Sequence, residues 1–192
     1  MDNVYLIGFM GVGKSTVARS MEKRLGWRLV DLDRRVEERA GKSVAEIFRT
    51  EGETVFRRME KDILLEVSEA SRTIISCGGG TALDPENVAV MKANGRVIWL
   101  DAGMDVILER VGRRRGKRPL LKGKTDQDIM VLYEARREAY RYAGDYRVMS
   151  DDRSPYAVAA KIQKILQIPF EVQDERLKGG IFWQRGSQDI QS

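Results

Sequence analysis

Apolar residues fall along this chain in two alternating periods. Short runs, Val4-Tyr5-Leu6-Ile7, Arg28-Leu29-Val30, Thr73-Ile74-Ile75-Ser76-Cys77, Arg96-Val97-Ile98-Trp99-Leu100 and Tyr146-Arg147-Val148-Met149, read as strands. Between them the apolar positions recur at helical intervals. Val17, Ala18, Met21 and Leu25 share one face, with Gly26 where a helix commonly stops, and Val55, Phe56, Met59, Ile63, Leu64 and Val67 mark a helix over 53 to about 70. Ser43-Val44-Ala45-Glu46 is a capping box, and Asp84-Pro85 places an acceptor before an N1 proline. Further helices are expected over 34–40, 104–111 and 125–142, and a last one after Ser154-Pro155 with Val158, Ala159, Ile162, Ile165 and Leu166 on its apolar face. Short apolar strands alternating with helices predict an α/β fold in three layers, a five-stranded, mostly parallel sheet flanked by helices.

Length and composition narrow this picture. The 192 residues suffice for one core, expected over 1–166, and show no internal repeat and no Ser/Pro-rich linker. Residues 167–192 contain Pro169 and a Gly179-Gly180 pair and end in a polar stretch; they read as a tail without an assigned role, with docking of Ile181-Phe182-Trp183 onto the domain left open. The single cysteine, Cys77, excludes an internal disulfide and reads as a small core residue. No apolar stretch approaches membrane-spanning length, and the first strand leaves no room for a leader ahead of it, so a soluble cytoplasmic protein is expected, as a monomer. Histidine is absent, which removes histidine general bases and most zinc sites; acid-base work falls to carboxylates or lysine. The net charge of +5 is concentrated in Arg113-Arg114-Arg115-Gly116-Lys117-Arg118 with Lys122 and Lys124. That run suits nucleic acid, or equally a loop closing over a triphosphate; without aromatic-interleaved basic segments elsewhere, no nucleic-acid partner is expected.

The most specific signal is Gly8-Phe9-Met10-Gly11-Val12-Gly13-Lys14-Ser15, which matches G-x-x-x-x-G-K-[ST] between a strand and a helix. Glycines let successive backbone N–H groups approach phosphate oxygens, a lysine reaches the β- and γ-phosphates, a serine hydroxyl faces Mg²⁺, and the helix adds its positive end. A P-loop NTPase fold follows, with Gly11, Val12, Gly13, Lys14, Ser15 and Thr16 around the phosphates of ATP. Asp31, Asp33 and Gly78-Gly79-Gly80 fall with them at carboxyl ends of strands, where ligands of such sheets gather.

From about residue 4 to 166 the chain resembles the shikimate kinase family of P-loop kinases, carried by Asp31-Leu32-Asp33 at the end of the second strand, Phe56-Arg57-Arg58-Met59-Glu60, Ile74-Ile75-Ser76-Cys77-Gly78-Gly79-Gly80, Arg118-Pro119-Leu120-Leu121, and Arg136 four residues before Tyr140. The resemblance implies transfer of the γ-phosphoryl group of MgATP to the 3-hydroxyl of shikimate, on the route to chorismate and the aromatic amino acids. It implies Mg²⁺ held with Ser15 and Asp31, shikimate contacted by Asp33, Arg57, Gly79 and Arg136, and Arg118 carried onto the transferring group by a lid over about 112–124. Lys14, Asp33 and Arg118 would be the catalytic residues, and Arg153, in Arg153-Ser154-Pro155, would border the adenine, with Arg110 a weaker candidate there. The chain departs from the pattern at Glu138 and Ala139, which stand where the family has Pro and Leu, and at Ala82, smaller than the usual aliphatic residue.

Other readings of individual residues stay open at this level. Asp33 could simply cap the helix after it, and Arg57 could be paired with Glu53 or Glu60 on a charged helix. Rival functions are a related small-molecule kinase acting on gluconate or a nucleoside monophosphate, a non-catalytic ATP-responsive module, and a basic nucleic-acid-binding protein.

Overall fold

Five strands, β1 (Asn3–Ile7), β2 (Arg28–Asp31), β3 (Thr73–Ser76), β4 (Gly95–Asp101) and β5 (Tyr146–Met149), form one sheet in the order β2-β3-β1-β4-β5 in a computed structural model that describes residues 3–113, 125–151 and 154–169. Every pairing is parallel, where the sequence pattern required only a mostly parallel sheet; Val4 lies opposite Ile74 on one side and Arg96 on the other. The apolar runs explain this placement. All residues of β1 and β3 are buried, so both faces of the sheet are covered, which suits a parallel sheet with crossover helices.

The helices are α1 (Lys14–Leu25), α2 (Leu32–Ala40), α3 (Val44–Thr50), α4 (Glu53–Ser68), α5 (Pro85–Asn94), α6 (Met104–Gly112), α7 (Asp126–Ala143) and α8 (Pro155–Ile165). α1 turns its expected face, Val17, Ala18, Met21 and Leu25, into the core and ends at left-handed Gly26. The Ser43–Glu46 capping box is present at α3, and Thr125 with Asp128 forms a second one at α7. Asn3 fastens the lower end of the sheet, its amide donating to Ser68 O and Ala70 O while its carbonyl accepts from Thr73 N.

Three details differ from the sequence reading. Asp33 does not end a strand: β2 stops at Asp31, whose side chain caps α2 by accepting from Arg34 N, so Asp33 sits in the first helical turn and the capping role belongs to Asp31. α6 runs on through Gly112, the first residue of the expected lid. A 3₁₀ turn at Thr81–Leu83 follows the triple glycine.

β1 leaves the sheet through Gly8, at φ +137°, where a Cβ would collide with the carbonyl oxygen of Leu100. Only glycine fits such a crossing. The chain is thereby delivered from the centre of the sheet into the loop that precedes α1.

Candidate active site

A cavity of about 570 Å³ opens at the carboxyl ends of β1, β2 and β3. Its floor is the loop from Met10 to Ser15 and the start of α1; Asp31 and Asp33, Arg57, and Gly78 to Gly80 form one wall, while Arg110, Arg113, Arg136 and Ser150 stand on others. The Lys14 ammonium donates to the carbonyls of Gly8 (2.7 Å) and Phe9 (3.1 Å), so the lysine arches back over its own loop. Ser15 Oγ donates to Asp31 Oδ2 at 2.9 Å and lies 3.4 Å from Ser76 Oγ.

Asp33 borders the open cavity and so meets water there, yet protein crowds it on its other sides. Burial pushes its pKa up to about 6, with Glu60 and Asp31 adding repulsion and Lys14 and Arg57 opposing it. Water in the cavity screens these charges, so the effect of the shift on stability is smaller than its size alone implies, with its direction unchanged. The glycine run makes this crowding feasible: a Cβ on Gly78 would lie 2.6 Å from Glu60 Oε1 and 2.7 Å from Asp33 Oδ1.

Arg57 is paired on its own helix and also faces the cavity. Its guanidinium donates to Glu60 Oε2 at 2.7 Å and to Glu53 Oε1 at 3.1 and 3.2 Å, i,i+3 and i,i+4 partners on α4, and it also faces the cavity over Gly80. Glu60 is wholly buried and receives Thr81 Oγ1 at 2.5 Å on its other oxygen, so neither oxygen is left without a donor. On α7, Arg136 reaches the Gly79 carbonyl at 3.4 Å, and Tyr140, one turn further, donates to the same oxygen at 2.5 Å. Residue 136 thus faces the glycine run despite Glu138 and Ala139 in the intervening turn.

Arg110 joins two parts of the rim, donating to Gly11 O (3.5 Å), Ser150 Oγ (3.3 Å), Ser150 O (2.9 Å) and Asp151 O (3.2 Å), while Ser150 Oγ donates to Val12 O at 2.7 Å. Cys77 is buried, and that burial holds its thiol pKa well above the ordinary value, so it packs and does not react. Arg118, residues 114–124 of the expected lid, and Arg153 lie outside the described residues. Sequence reasoning overlooked Glu60, Tyr140 and Ser150 as parts of the site. The first two had a signal, each lying one helical turn from an arginine already singled out.

A parallel sheet that feeds its central strand into a lysine-bearing glycine loop, with a carboxylate-bonded serine after the lysine and arginines facing it, defines a P-loop phosphotransferase. Within that class the relatives are specific. The family model described as shikimate kinase matches residues 10–167. A shikimate kinase of Persephonella marina is 41% identical over 84% of this chain and 97% of its own length, and one of Moorella thermoacetica is 41% identical over 86% and 94%. Among solved structures, shikimate kinase from Acinetobacter baumannii in complex with shikimate superposes with a TM-score of 0.82 at 32% identity, covering 87% of this chain and 94% of that one. The enzyme from Aquifex aeolicus gives 0.73 at 34% identity, covering 86% and 96%. The chain belongs to the shikimate kinase family. It is an ATP-dependent kinase that phosphorylates shikimate, a step of aromatic amino acid biosynthesis.

Proposed function

We propose that the γ-phosphoryl group of MgATP passes to the 3-hydroxyl of shikimate in this cavity, giving shikimate 3-phosphate and ADP, with the roles divided between its two walls. The loop Gly11 to Thr16 cradles the phosphates with main-chain N–H groups, and Lys14 exchanges its carbonyl partners for phosphate oxygens. Asp33 orients the acceptor hydroxyl and takes its proton; with a pKa of about 6 it is ionised at pH 7.5 and basic enough to accept. Arg57 and Arg136 grip the carboxylate of shikimate, a task that suits planar guanidinium donors, and Gly79 lines the ring between them. The observation that carries this reading is that Asp33, Arg57, Gly79 and Arg136 line the same cavity as Lys14.

The donor set fits Mg²⁺. Ser15 Oγ and Asp31 Oδ2, 2.9 Å apart beside the loop, are hard oxygen donors, and no group of three or more carboxylate, Cys or His side chains that could hold a metal occurs among the described residues. Mg²⁺ is ordinarily held by one or two protein oxygens together with phosphates and water. When bound there, the ion would neutralise charge on the triphosphate. Arg118 and the lid over 112–124, and Arg153 at the adenine, belong to this proposal on the family resemblance alone.

The reading carries with it a cytoplasmic monomer without a nucleic-acid partner. Among the described residues no helix is long and apolar enough to cross a membrane. A coupled ADP assay over shikimate, gluconate and nucleoside monophosphates tests the whole: turnover is expected with shikimate and to vanish when Mg²⁺ is chelated. Comparable turnover with another acceptor, or with shikimate under chelation, would overturn it.

A further inference from the structure

The side chain of Tyr140 is fully buried on α7, its ring tilted against that of Trp99 with centroids 6.5 Å apart, and its hydroxyl donates to Gly79 O at 2.5 Å. A phenylalanine would fill this volume equally well, so packing alone does not account for the hydroxyl. Arg136 reaches the same oxygen at 3.4 Å, and the two side chains, four apart on α7, descend on one peptide from one helix face. That peptide lies in a run whose two outer positions leave no room for side chains. A Cβ on Gly80 would lie 2.6 Å from the Arg57 Cζ, and one on Gly78 would meet Glu60 and Asp33, so no side chain at either position can fix its orientation.

We propose that Tyr140 is a positioning residue for the acceptor, fixing the Gly79–Gly80 peptide plane so that the wall between Arg57 and Arg136 keeps one shape. In a planar trans peptide the N–H is antiparallel to the C=O. With the Gly79 carbonyl drawn to Tyr140 and Arg136, the Gly80 N–H is aimed away from α7. The hydroxyl also keeps Arg136 at a set distance, because both donors converge on one acceptor with two lone pairs. Burial holds the Tyr140 pKa near 12, so the group stays a donor throughout the working range of pH. This inference rests on the reading of Gly79 and Arg136 as shikimate contacts, and it adds that a residue touching neither substrate sets the affinity for one of them.

The test is Tyr140→Phe in the full-length enzyme, with steady-state kinetics in both substrates and a thermal melt. Loss of one buried hydrogen bond that shapes a binding wall should raise the KM for shikimate about five- to tenfold, with the KM for ATP changed less than twofold and the protein still folded. Tyr133→Phe serves as the control, since it removes a buried hydroxyl from the same helix that bonds Asp101 and not the glycine run; both KM values should hold. An unchanged shikimate KM, a parallel rise in both KM values, or loss of the folded state in Tyr140→Phe would each overturn the proposal. Arg136→Ala separates it from the reading beneath it. A raised shikimate KM in Arg136→Ala with none in Tyr140→Phe removes Tyr140 alone, whereas no change in either removes the acceptor wall.

Discussion

Substitution of Gly80 by alanine should act at a distance, through Arg57. The backbone at Gly80, φ −110°, tolerates any residue, so the effect is steric: the new methyl would occupy the space of the guanidinium, 2.6 Å from Cζ and from Nη1. Arg57 is a flexible side chain, but it is tied to Glu53 and to Glu60, whose side chain is completely buried. Pushing the guanidinium aside leaves Glu60 with Thr81 as its remaining donor. Loss of a charge-assisted bond to a buried carboxylate costs about 1.5–3 kcal/mol, which for a protein of this length lowers Tm by roughly 3–12 °C. The same displacement moves the group proposed to hold the substrate carboxylate, so the shikimate KM should rise while the ATP KM holds. Urea melts of the parent, Gly80→Ala, Arg57→Ala and the double variant measure the coupling. In the Arg57→Ala background the second substitution should cost less than about 0.5 kcal/mol, because the atoms nearest the methyl all belong to the Arg57 guanidinium. An equal cost in both backgrounds would refute the reasoning, since the methyl would then be meeting something other than Arg57.

Other outcomes follow from the same geometry. Lys14→Met should abolish turnover with the far-ultraviolet circular dichroism unchanged, because the lysine's bonds to the Gly8 and Phe9 carbonyls are local to its own loop. The shikimate-dependent rate of the parent should fall as pH drops through about 6, where Asp33 takes up a proton, and this acidic limb should shift if Glu60, which raises that pKa, is made Gln. Because the folded state holds the Asp33 proton more tightly than the unfolded chain, Asp33 ionisation weakens folding above about pH 6 and has no effect well below pH 4; inactive Asp33→Asn should therefore melt higher than the parent at pH 8 and equally at pH 3.5. Asp101→Ala should cost about 3 kcal/mol or more by calorimetry, since wholly buried Asp101 receives Arg147 at 2.7 and 3.0 Å, Tyr133 at 3.0 and 3.2 Å, and the Ala102 N–H.

All five strands were legible from the chain: β1, β3 and most of β4 are apolar runs buried on both faces, while the edge strands β2 and β5, with one buried residue each, showed as short runs between helical patterns; the capping box at Ser43 and the proline at 85 announced their helices through purely local chemistry. What escaped was either a local choice between equivalent residues or set by residues distant in sequence. The start of α2 moved to Leu32 because Asp31 turns its side chain onto the helix end, a choice between two acidic residues that periodicity does not make. The 3₁₀ turn after Gly80 goes with Thr81 bonding Glu60, 21 residues earlier. Asp101 drew no notice in the sequence, where the expected strand stops at Leu100, yet it is the best-satisfied carboxylate in the sheet, through partners 32 and 46 residues away. Within the site, the residue types at 14, 15, 31, 33, 57 and 136 named the chemistry, whereas the sharing of Arg57 between two glutamates and the cavity needed coordinates.

The collision that forbids a side chain at position 8 comes from β4, not from any phosphate. The first glycine of the nucleotide signature is therefore demanded by the scaffold itself, and a descendant that abandoned catalysis would still have to keep it. Gly13 is different: nothing lies within 4 Å of a methyl placed there, so only its left-handed backbone and the incoming ligand argue for glycine. In this lineage, decay of enzymatic function would surface at residues 13 and 14 while residue 8 stayed silent, and a motif scan that weighs all three alike would mistake a relic for a working enzyme.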